Sequence, residues 1–223
     1  MTQSAPSEFV YAPPLEPYLQ VLHADDDLLV VDKPSGLLSV PGKAAKHADC
    51  IELRAQQRYP QARIVHRLDM DTSGVMVLAM NPAALRHLGL QFERRKTRKS
   101  YIAEIWGQLA EETGEVDLPL TCDWPNRPKQ MVSHETGRPA LTRWQVLERK
   151  DHCTRVRLFP HTGRSHQLRV HMLALGHPIL GDRFYAEGAA LSACGRLALH
   201  AESLELHHPA DGARWTFDAE VPF

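Results

Sequence analysis

A polar segment that leads straight into an apolar run constrains the fold of this chain more than any other feature. Residues 66–74 read HRLDMDTSG, and the apolar run of residues 75–79 follows without a spacer. A short apolar run beside turn residues is typical of a buried strand, so we expect the polar segment to form a loop packed against that strand. Asp69 should therefore lie in a protected loop rather than on a solvated tail. Taken alone, the pair Arg67 and Asp69 is also compatible with a surface ion pair, worth roughly 0–1 kcal/mol.

Several other segments have the pattern of strands. Residues 28–31 form a short apolar run that ends at the turn Asp32-Lys33-Pro34-Ser35-Gly36. Residues 100–109 alternate with a period of two, as expected for a strand with two different faces. Similar strand-like runs lie at residues 141–147, 154–159, 197–206 and 215–217. Most of the chain is therefore predicted to form a sheet.

Three helices are predicted from the residues at their ends. Each follows a side chain that can accept a hydrogen bond from the first helical turn, and a proline or glycine marks a boundary of each. The predicted helices are residues 50–59 after Asp49 and before Pro60, residues 82–94 after Asn81, and residues 166–175 after Ser165 and before Gly176.

The organisation of the chain indicates a single α+β domain. There is no internal repeat, low-complexity tract or Gly/Ser linker, and predicted strands lie on both sides of the chain centre. The domain is predicted to span residues 21–223. Residues 1–20 are predicted to be an extended N-terminal arm, because they carry four prolines but no basic leader and no apolar segment. Residues 118–139 are the most loop-like part of the domain and are expected to contact a ligand.

Composition argues against several classes of protein. The chain has 223 residues, 43% of them apolar, but no apolar stretch of transmembrane length, so a soluble cytoplasmic protein is predicted, with no membrane partner and a monomer as the default. Its four cysteines form no C-x-x-C pair, which argues against a disulfide framework and a thiolate metal site. A net charge of −1 does not by itself indicate a nucleic-acid-binding protein.

Basic residues are nevertheless concentrated in two segments. One is the run of residues 94–99, and the other is a His-rich region that contains Arg164, Arg169 and Arg183. Together they are compatible with one basic face on a neutral protein. For the run 94–99 alone, a solvated helix end favoured by the helix dipole is the simpler interpretation.

The segment HRLDMDTSG resembles the signature of the RluA-type pseudouridine synthases, which isomerise selected uridines in RNA. Further segments match the same family in the same order, and the resemblance covers nearly the whole chain. They are Lys33-Pro34-x-Gly36, Lys99-x-Tyr101, GRSHQLRVH at residues 163–171, GHPILGD at residues 176–182, and LHA at residues 199–201. The resemblance implies a mixed, mostly antiparallel sheet with a central cleft, and catalysis without a cofactor or a metal.

The resemblance assigns catalysis to Asp69, Tyr101 and Arg169. Asp69 would act as a nucleophile or base toward the sugar or the ring and would later help remove the C5 proton, which requires an ionised carboxylate away from bulk water. The guanidinium of Arg169 would favour that anion, and Tyr101 would hold the freed uracil by its flat face. Without the resemblance, Tyr101 would be interpreted as a core residue and Arg169 as a helix residue facing phosphate.

Four further residues are implied in binding the substrate. A stacked uridine must be flipped out of the RNA to reach a buried carboxylate, at a cost of roughly a few kcal/mol. Arg67 would fill the vacated space in the RNA, and Leu199 would form an apolar wall that excludes water. The GRSHQLRVH segment adds Arg164 and His166 to the substrate-binding residues. His66 is predicted to be structural.

The expected substrates are small folded RNA elements. The predicted arm is too short for a separate RNA-binding domain, so the catalytic domain itself should recognise the RNA, and a hairpin loop fits that limit. Residues 117–136 and 178–185 are most similar to family members that act on both a tRNA anticodon stem-loop and a hairpin of 23S rRNA. This similarity implies position 32 of tRNA and position 746 of 23S rRNA as the target uridines.

Three other functions compete with this interpretation. Kinase-type phosphoryl-transfer loops carry His-Arg-Asp, but here a Leu separates Arg67 from Asp69 and no Gly-rich phosphate loop precedes them. Thirteen histidines suggest a metal hydrolase, but the spacing of His166, His171 and His177 is not the i, i+4 pair of a zinc-binding helix. A non-catalytic RNA-binding protein with the same fold would not need an intact catalytic set.

Overall fold

The structure is a computed structural model that describes residues 10–223. Its strands are Gln20–Ala24 (β1), Leu28–Lys33 (β2), Arg63–Ile64 (β3), Ser73–Ala79 (β4), Arg98–Trp106 (β5), Thr113–Asp117 (β6), Leu120–Cys122 (β7), Gln130–Val132 (β8), Leu141–Arg149 (β9), Cys153–Pro160 (β10), Leu199–His207 (β11) and Arg214–Asp218 (β12). Its α-helices are Ile51–Arg58 (α1), Pro82–Glu93 (α2), Gln167–Ala174 (α3) and Gly188–Ser192 (α4), and short 3-10 helices lie at Ala45–His47 and Trp124–Asn126. In this part of the chain, no helix has the length and apolar character of a membrane span.

Ten of the strands described within residues 10–223 form one mixed sheet. The strand order is β1-β2-β4-β11-β5-β10-β9-β6, with β3 paired to β4 and β12 paired to β11, while β7 and β8 form a separate two-stranded sheet. Strands β4 and β11 run parallel, and the other paired strands of the described chain run antiparallel. The predicted α+β fold with a mixed, mostly antiparallel sheet is confirmed.

Strands β2 and β4 are buried on both faces because a helix covers each side. Val77 and its alternate neighbours pack against Leu88 of α2. Met76 and Leu78, which point the other way, pack in a cluster with Ile51 of α1. A strand that is buried on both sides has no polar alternation, which explains the unbroken apolar run of β4.

A second core lies on the half of the sheet that contains β5, β9 and β10. Side chains of these strands pack with Leu168 and Met172 of α3 and with Ala190 of α4. The cleft described below lies where this half meets the half that contains β2 and β4.

The predicted helices form, but two of their caps differ from expectation. Helix α2 begins as predicted, because Asn81 accepts a hydrogen bond from the Ala84 amide at 2.8 Å. Helix α1 is capped by the thiol of Cys50 rather than by Asp49. The Asp49 carboxylate is instead bound by the buried guanidinium of Arg54 at 2.8 and 2.6 Å, so it is not available as a cap.

Helix α3 begins at Gln167, one residue later than predicted. His166 occupies the N-cap position with a left-handed backbone, φ +53°, and no side chain caps the helix, so the prediction that Ser165 is the cap is wrong. The end of the helix is as predicted. Gly176 has φ +83°, and its amide donates to the carbonyl of Leu173 at 2.8 Å.

The N-terminal arm was predicted over residues 1–20, of which residues 1–9 lie outside the described residues. Residues 10–19 contain no helix or strand. The Tyr11 hydroxyl donates to the Asp49 carbonyl at 2.7 Å and accepts from the Leu38 amide at 3.0 Å, so this part of the arm packs on the domain. The boundary at residue 21 stays a prediction.

The segment 118–139 is more ordered than its composition suggests. It contains β7, β8 and the 3-10 helix Trp124–Asn126 between them, so the prediction of a loop is wrong for its central part. Backbone pairing of Leu120 with Val132 and of Cys122 with Gln130 supplies the regular structure. Prolines outside these pairs do not interfere with it.

Candidate active site

A cleft of about 1250 Å³ opens where the two halves of the sheet meet. The loop between β3 and β4 forms one wall, and the start of α3 forms the opposite wall. The structure brings all the predicted site residues to this one cleft: Arg67, Asp69, Tyr101, Arg164, His166, Arg169 and Leu199. Their individual roles stay predictions.

The loop that carries Asp69 is anchored by Lys33 at the end of β2. The Lys33 side chain is fully buried, and its Nζ donates to the carbonyl oxygens of Pro34, Leu37 and Met70 at 2.9, 2.7 and 3.0 Å. Three acceptors match the three protons of an ammonium group. Burial lowers the pKa of Lys33 to about 7, while three nearby carboxylates oppose that shift. Lys33 thus ties the loop to β2 through backbone carbonyls rather than through an ion pair.

Two serines that follow β2 in the chain, Ser35 and Ser39, hold the backbone on either side of Asp69. The Ser39 hydroxyl donates to the carbonyl of Leu68 at 2.6 Å and accepts from its amide at 3.1 Å. The Ser35 hydroxyl donates to the carbonyl of Asp71 at 2.6 Å. The Asp69 backbone is therefore fixed by neighbours that are distant in sequence.

Close contact between the parallel strands β4 and β11 determines where this loop ends. Gly74 has φ +114°, and a Cβ atom at this position would collide with the backbone of Ala201. Beside it, the hydroxyl of Ser73 is hydrogen-bonded to Nδ1 of His200 at 2.8 Å and accepts from Nη2 of Arg196 at 2.5 Å. Glycine is required here because the two backbones approach too closely for a side chain.

Arg169 links the two walls of the cleft. Its Nη1 lies 3.3 Å from Oδ2 of Asp69, although the two residues are 100 positions apart in the chain. Its Nε and Nη2 bind Oδ2 and Oδ1 of Asp182 at 2.7 and 2.6 Å. The Arg169 and Asp182 side chains are 2% and 0% exposed, whereas that of Asp69 is 28% exposed. Asp182 thus orients the guanidinium so that one nitrogen faces the cleft.

The charge on Arg169 is secured by its surroundings. Burial would lower the pKa of Arg169, but the hydrogen bonds and negative charge of Asp182, with the charge of Asp69, raise it overall. The guanidinium also lies over the rings of Phe184 and Tyr185, 5.2 Å from each centroid. The site therefore holds a permanent cation beside the Asp69 carboxylate.

Tyr101 and Leu199 reach the cleft from the neighbouring strands β5 and β11. In the register of these strands Tyr101 is opposite Ala201, and Leu199 is opposite Ala103. Burial raises the pKa of Tyr101, and the negative charge of Asp69 adds to the shift, so the phenol stays protonated. Leu199 is buried and contributes an apolar surface to the lining.

His166 faces Asp69 from the start of α3. Its Nδ1 lies 2.7 Å from the hydroxyl of Tyr185, and its Nε2 lies 3.9 Å from Oδ2 of Asp69. The imidazole is nearly parallel to the ring of Phe184, with a centroid distance of 5.7 Å. Burial lowers the pKa of His166, which favours the neutral ring.

The rim of the cleft is rich in cations. Arg67 is exposed and has no hydrogen bond or ion pair with the rest of residues 10–223. Arg164 is partly buried, and its Nε donates to the Pro139 carbonyl at 3.3 Å. Further cations on the lining are Lys43, Arg95, Lys99, Arg127 and Arg183. Such a rim can neutralise the phosphates of a nucleic acid.

The basic run 94–99 contributes to this rim. Helix α2 ends at Glu93, so the run lies beyond the helix and continues into β5. Arg95 and Lys99 line the cleft, and burial lowers the pKa of Lys99. The interpretation of this run as a solvated helix end is therefore wrong for Lys99.

His66 lies next to the catalytic segment but faces the protein. Its Nε2 accepts a hydrogen bond from the amide of Val77 at 3.1 Å, and its ring stacks on Phe92 at a centroid distance of 4.5 Å. Burial lowers the pKa of His66 to about 3, and the charge of Lys99 adds to the shift. These contacts support the structural role predicted for this residue.

The histidines considered as metal ligands bind separate protein groups. His171 is hydrogen-bonded to Thr142 and to the carbonyl of Leu118, and His177 to the carbonyl of Trp106. Within the described part of the chain, no group of three or more His, Cys, Asp and Glu side chains is arranged to hold a metal ion.

Sequence reasoning missed three residues that hold the site together: Lys33, Asp182 and Tyr185. Lys33 and Asp182 lie in segments that match the family, but a motif does not reveal which group a charged residue faces. One signal was available for Asp182. A buried arginine requires an anionic partner, and Asp182 is the carboxylate of the conspicuous GHPILGD segment.

Comparisons with known proteins agree with this geometry. Residues 27–174 match the family described as RNA pseudouridylate synthase. The chain is 58% identical over 214 residues to the dual-specificity RNA pseudouridine synthase RluA of Escherichia coli K12, covering 96% of this chain and 98% of that protein. It is 55% identical to RluA of Yersinia pestis, over 91% of this chain and 99% of that one.

Solved structures of human proteins show the same fold. RNA pseudouridylate synthase domain containing 1 superimposes with a TM-score of 0.76 at 29% identity, over 100% of this chain and 87% of that one. RNA pseudouridylate synthase domain containing 4 gives a TM-score of 0.73 at 28% identity, over 91% and 88% of the two chains.

Proposed function

The chain belongs to the RNA pseudouridylate synthase family and isomerises uridine to pseudouridine in RNA, and we propose that Asp69 carries this reaction in two substrates, a tRNA anticodon stem-loop and a hairpin of 23S rRNA. The observation that supports Asp69 most directly is its position, 3.3 Å from Arg169 in a cleft that Tyr101 and Leu199 also line. Family membership also removes the non-catalytic RNA-binding alternative.

The reaction exchanges one bond of the nucleoside for another. The bond between C1′ of the ribose and N1 of uracil breaks, the base turns, C1′ joins C5, the proton on C5 is lost, and N1 gains one proton, directly or by way of solvent. No atom is gained or lost. The Asp69 carboxylate acts as the nucleophile or base in the first stage and helps remove the C5 proton in the last. Arg169 supplies the fixed positive charge that supports the anion throughout.

The apolar and aromatic lining has a separate task. Once the glycosidic bond has broken, the uracil must stay in the site while it turns. Tyr101 provides a flat face for the ring, and Leu199 closes the site to water that would compete for C1′. Because the Tyr101 phenol stays protonated, it adds no second negative charge beside Asp69.

A uridine in a loop reaches Asp69 only after it leaves the base stack. Unstacking costs roughly a few kcal/mol, which new contacts must offset. Arg67 is suited to occupy the vacated position because it is exposed, stands two residues from Asp69, and has no partner within residues 10–223. Arg164 and His166 bind the RNA from the opposite wall.

The two RNA classes are proposed from the similarity to the RluA proteins, which are named dual-specificity RNA pseudouridine synthases. The cationic rim supports a compact, folded RNA, since it surrounds the cleft on both walls. We propose with these substrates a cytoplasmic location, a monomer as the default expected from the sequence, and a reaction without cofactor or metal.

The test of Asp69 is its replacement by Asn, which preserves shape and removes the negative charge. We expect Asp69→Asn to lose at least about 10³-fold in pseudouridine formation on an anticodon stem-loop transcript, because the reacting group is gone. RNA affinity should stay within about threefold, since phosphate contacts dominate binding. Asp71→Asn is the matched control in the same loop. Asp71 pairs with Arg183 at 2.9 Å and should lose less than about tenfold. Retained activity in Asp69→Asn contradicts the assignment.

The test of the substrates is a map of pseudouridine in cellular RNA. Cells that lack the gene should lose pseudouridine at position 32 of tRNA and position 746 of 23S rRNA together, and the wild-type gene should restore both. Loss at only one of the two positions, or at neither, contradicts the dual assignment without affecting that of Asp69.

A further inference from the structure

His166 is connected to the hairpin β7–β8 by a short chain of hydrogen bonds. The backbone amide of Gln130 donates to the hydroxyl of Tyr185 at 2.8 Å, and that hydroxyl lies 2.7 Å from Nδ1 of His166. The other ring nitrogen, Nε2, faces the cleft, 3.9 Å from Oδ2 of Asp69.

This series of hydrogen bonds indicates which ring nitrogen of His166 carries a proton. The Tyr185 hydroxyl has one proton to donate, and it already accepts the amide proton of Gln130. Its two possible acceptors are Nδ1 of His166 at 2.7 Å and the carbonyl of Gln130 at 3.4 Å. The shorter contact lies at the usual length of a hydroxyl hydrogen bond, and the longer one does not. The geometry therefore favours a Tyr185 hydroxyl that donates to Nδ1, which places the proton of a neutral ring on Nε2.

The surroundings favour a neutral ring and an intact phenol. Burial raises the pKa of Tyr185 to about 12, so its proton is kept. Burial lowers the pKa of His166, and the charge of Arg169 acts in the same direction. The carboxylates of Asp69, Asp182 and Asp71 oppose this shift without reversing it.

The Nε2 proton is not used by the protein. Its distance of 3.9 Å from Asp69 exceeds that of a hydrogen bond, and Arg169 already binds this carboxylate. Phe184 is stacked against the ring and limits its rotation. A fixed donor thus points into the space beside the reactive carboxylate.

We propose that Nε2–H of His166 donates a hydrogen bond to a carbonyl oxygen of the target uracil and stabilises the negative charge that develops when the glycosidic bond breaks. This inference rests on the proposed function of Asp69. When the bond from C1′ to N1 breaks, its electron pair stays on the uracil ring and spreads to the carbonyl oxygens. When C1′ joins C5, the pair forms the new bond. His166 donates throughout and transfers no proton.

The kinetic test compares two side chains of equal length. His166→Met and His166→Gln impose the same backbone at φ +53°, but only Gln carries an N–H donor. We expect His166→Met to reduce the single-turnover rate about 10²-fold, the effect of losing one donor to a developing oxyanion, and to reduce RNA affinity much less, because phosphate contacts dominate binding. His166→Gln should recover most of that rate. Equal losses in both variants, or a loss confined to RNA affinity, overturn the proposal.

A spectroscopic test needs no activity. The ¹⁵N shifts of a histidine ring distinguish a protonated nitrogen from an unprotonated one, and the His166 signals can be identified by their absence in His166→Gln. In the wild-type protein Nδ1 should be unprotonated and Nε2 protonated, and Tyr185→Phe should weaken that preference. A proton on Nδ1 overturns the proposal even if both variants are inactive.

The outcomes separate this inference from the function on which it rests. Inactive Asp69→Asn together with full activity in His166→Met overturns the role of His166 alone. Active Asp69→Asn overturns the proposed role of Asp69, while the ring-nitrogen assignment still stands or falls on the spectra.

Discussion

The two walls of the cleft are held by different kinds of interaction. The Asp69 wall, defined as residues 66–73 with Lys33 and Ser39, is held by hydrogen bonds to backbone groups. The Arg169 wall, defined as His166, Arg169, Asp182 and Tyr185, is built around a buried ion pair. One wall therefore fixes the course of the chain, and the other fixes the position of a charge.

This difference matches the group that each wall presents to the cleft, the carboxylate of Asp69 or the guanidinium of Arg169. In the proposed reaction Asp69 must be partly accessible, and its own carboxylate is a poor anchor because it would have to react. Its position therefore depends on neutral backbone contacts on either side. Arg169 must stay in place with its charge intact, and a bidentate carboxylate does this in a buried position. Removing an anchor should accordingly have different consequences on the two walls.

The largest effect is expected on the Arg169 wall. Asp182→Asn leaves a buried guanidinium without its counter-charge and should reduce the free energy of unfolding by about 3–5 kcal/mol, measured by urea denaturation. Glu202→Gln is the control, since Glu202 binds Arg157 with the same bidentate geometry but is 22% exposed. Glu202→Gln should reduce the free energy of unfolding by about 1 kcal/mol or less.

A double variant separates stability from activity on this wall. Arg169→Met with Asp182→Leu removes both charges and should regain most of the stability lost in Asp182→Asn, because no unpaired charge is left. It should remain inactive in pseudouridine formation, because the cation beside Asp69 is gone. Restored activity would show that the pair only supports the fold.

The second-largest loss of stability is expected on the Asp69 wall. Lys33→Met leaves the carbonyl oxygens of Pro34 and Leu37 without this donor, while that of Met70 keeps only the Gly36 amide, and should reduce the free energy of unfolding by about 2 kcal/mol. Activity should fall because the loop of Asp69 loses its anchor. Lys150→Met, at a lysine that is 37% exposed and paired with Glu104, should cost less than about 1 kcal/mol. An equal cost for the two lysines would remove the contrast between the walls.

Acid should reduce the free energy of unfolding through His66, which lies in the Asp69 wall. Burial and the charge of Lys99 lower its folded pKa to about 3 from 6.5. Between these values the native ring stays neutral while the unfolded chain takes up a proton, so stability falls as the pH falls. From pH 6.5 to pH 4.5, wild type should lose about 2 kcal/mol more than His66→Gln, which does not titrate. Parallel losses would show that other groups carry the acid sensitivity.

The smallest effect on stability is expected at the exposed rim. Arg67→Ala and Arg164→Ala should change the free energy of unfolding by about 0.5 kcal/mol or less. Their effects on RNA should differ. If Arg164 binds phosphate, its loss reduces the salt dependence of binding by about one counterion, whereas loss of Arg67 should mainly slow the reaction. Identical salt slopes in both variants would contradict this division.

Much of the fold could be predicted because its signals are local. The apolar run of β4 and the Asn81-Pro82 start of α2 were recognisable from a few neighbouring residues. The predictions that Asp49 and Ser165 cap helices are wrong because other residues determine how the two helices begin. Asp49 is bound by Arg54, and the chain turns at His166 into a left-handed conformation that no pattern indicated.

The site was predicted in part for a different reason. The seven residues that the family resemblance indicated do meet in one cleft. Their anchors were not predicted, because nothing near Lys33 in the sequence shows that it would bind carbonyls rather than a carboxylate, and nothing near Tyr185 shows which ring nitrogen of His166 it would face.

The sequence by itself determined the family and the types of most elements, and it singled out Asp69 as the candidate reactive carboxylate, since periodicity, end signals and short motifs act between close neighbours in the chain. The resemblance predicted that Arg169 supports Asp69 from 100 positions away, but only the tertiary structure decided that Asp182 orients this guanidinium, that Lys33 anchors the loop of Asp69, and that the Tyr185 hydroxyl lies at Nδ1 of His166. Ion pairing and hydrogen bonding depend on distance in space, and the parallel contact of β4 with β11 creates that proximity.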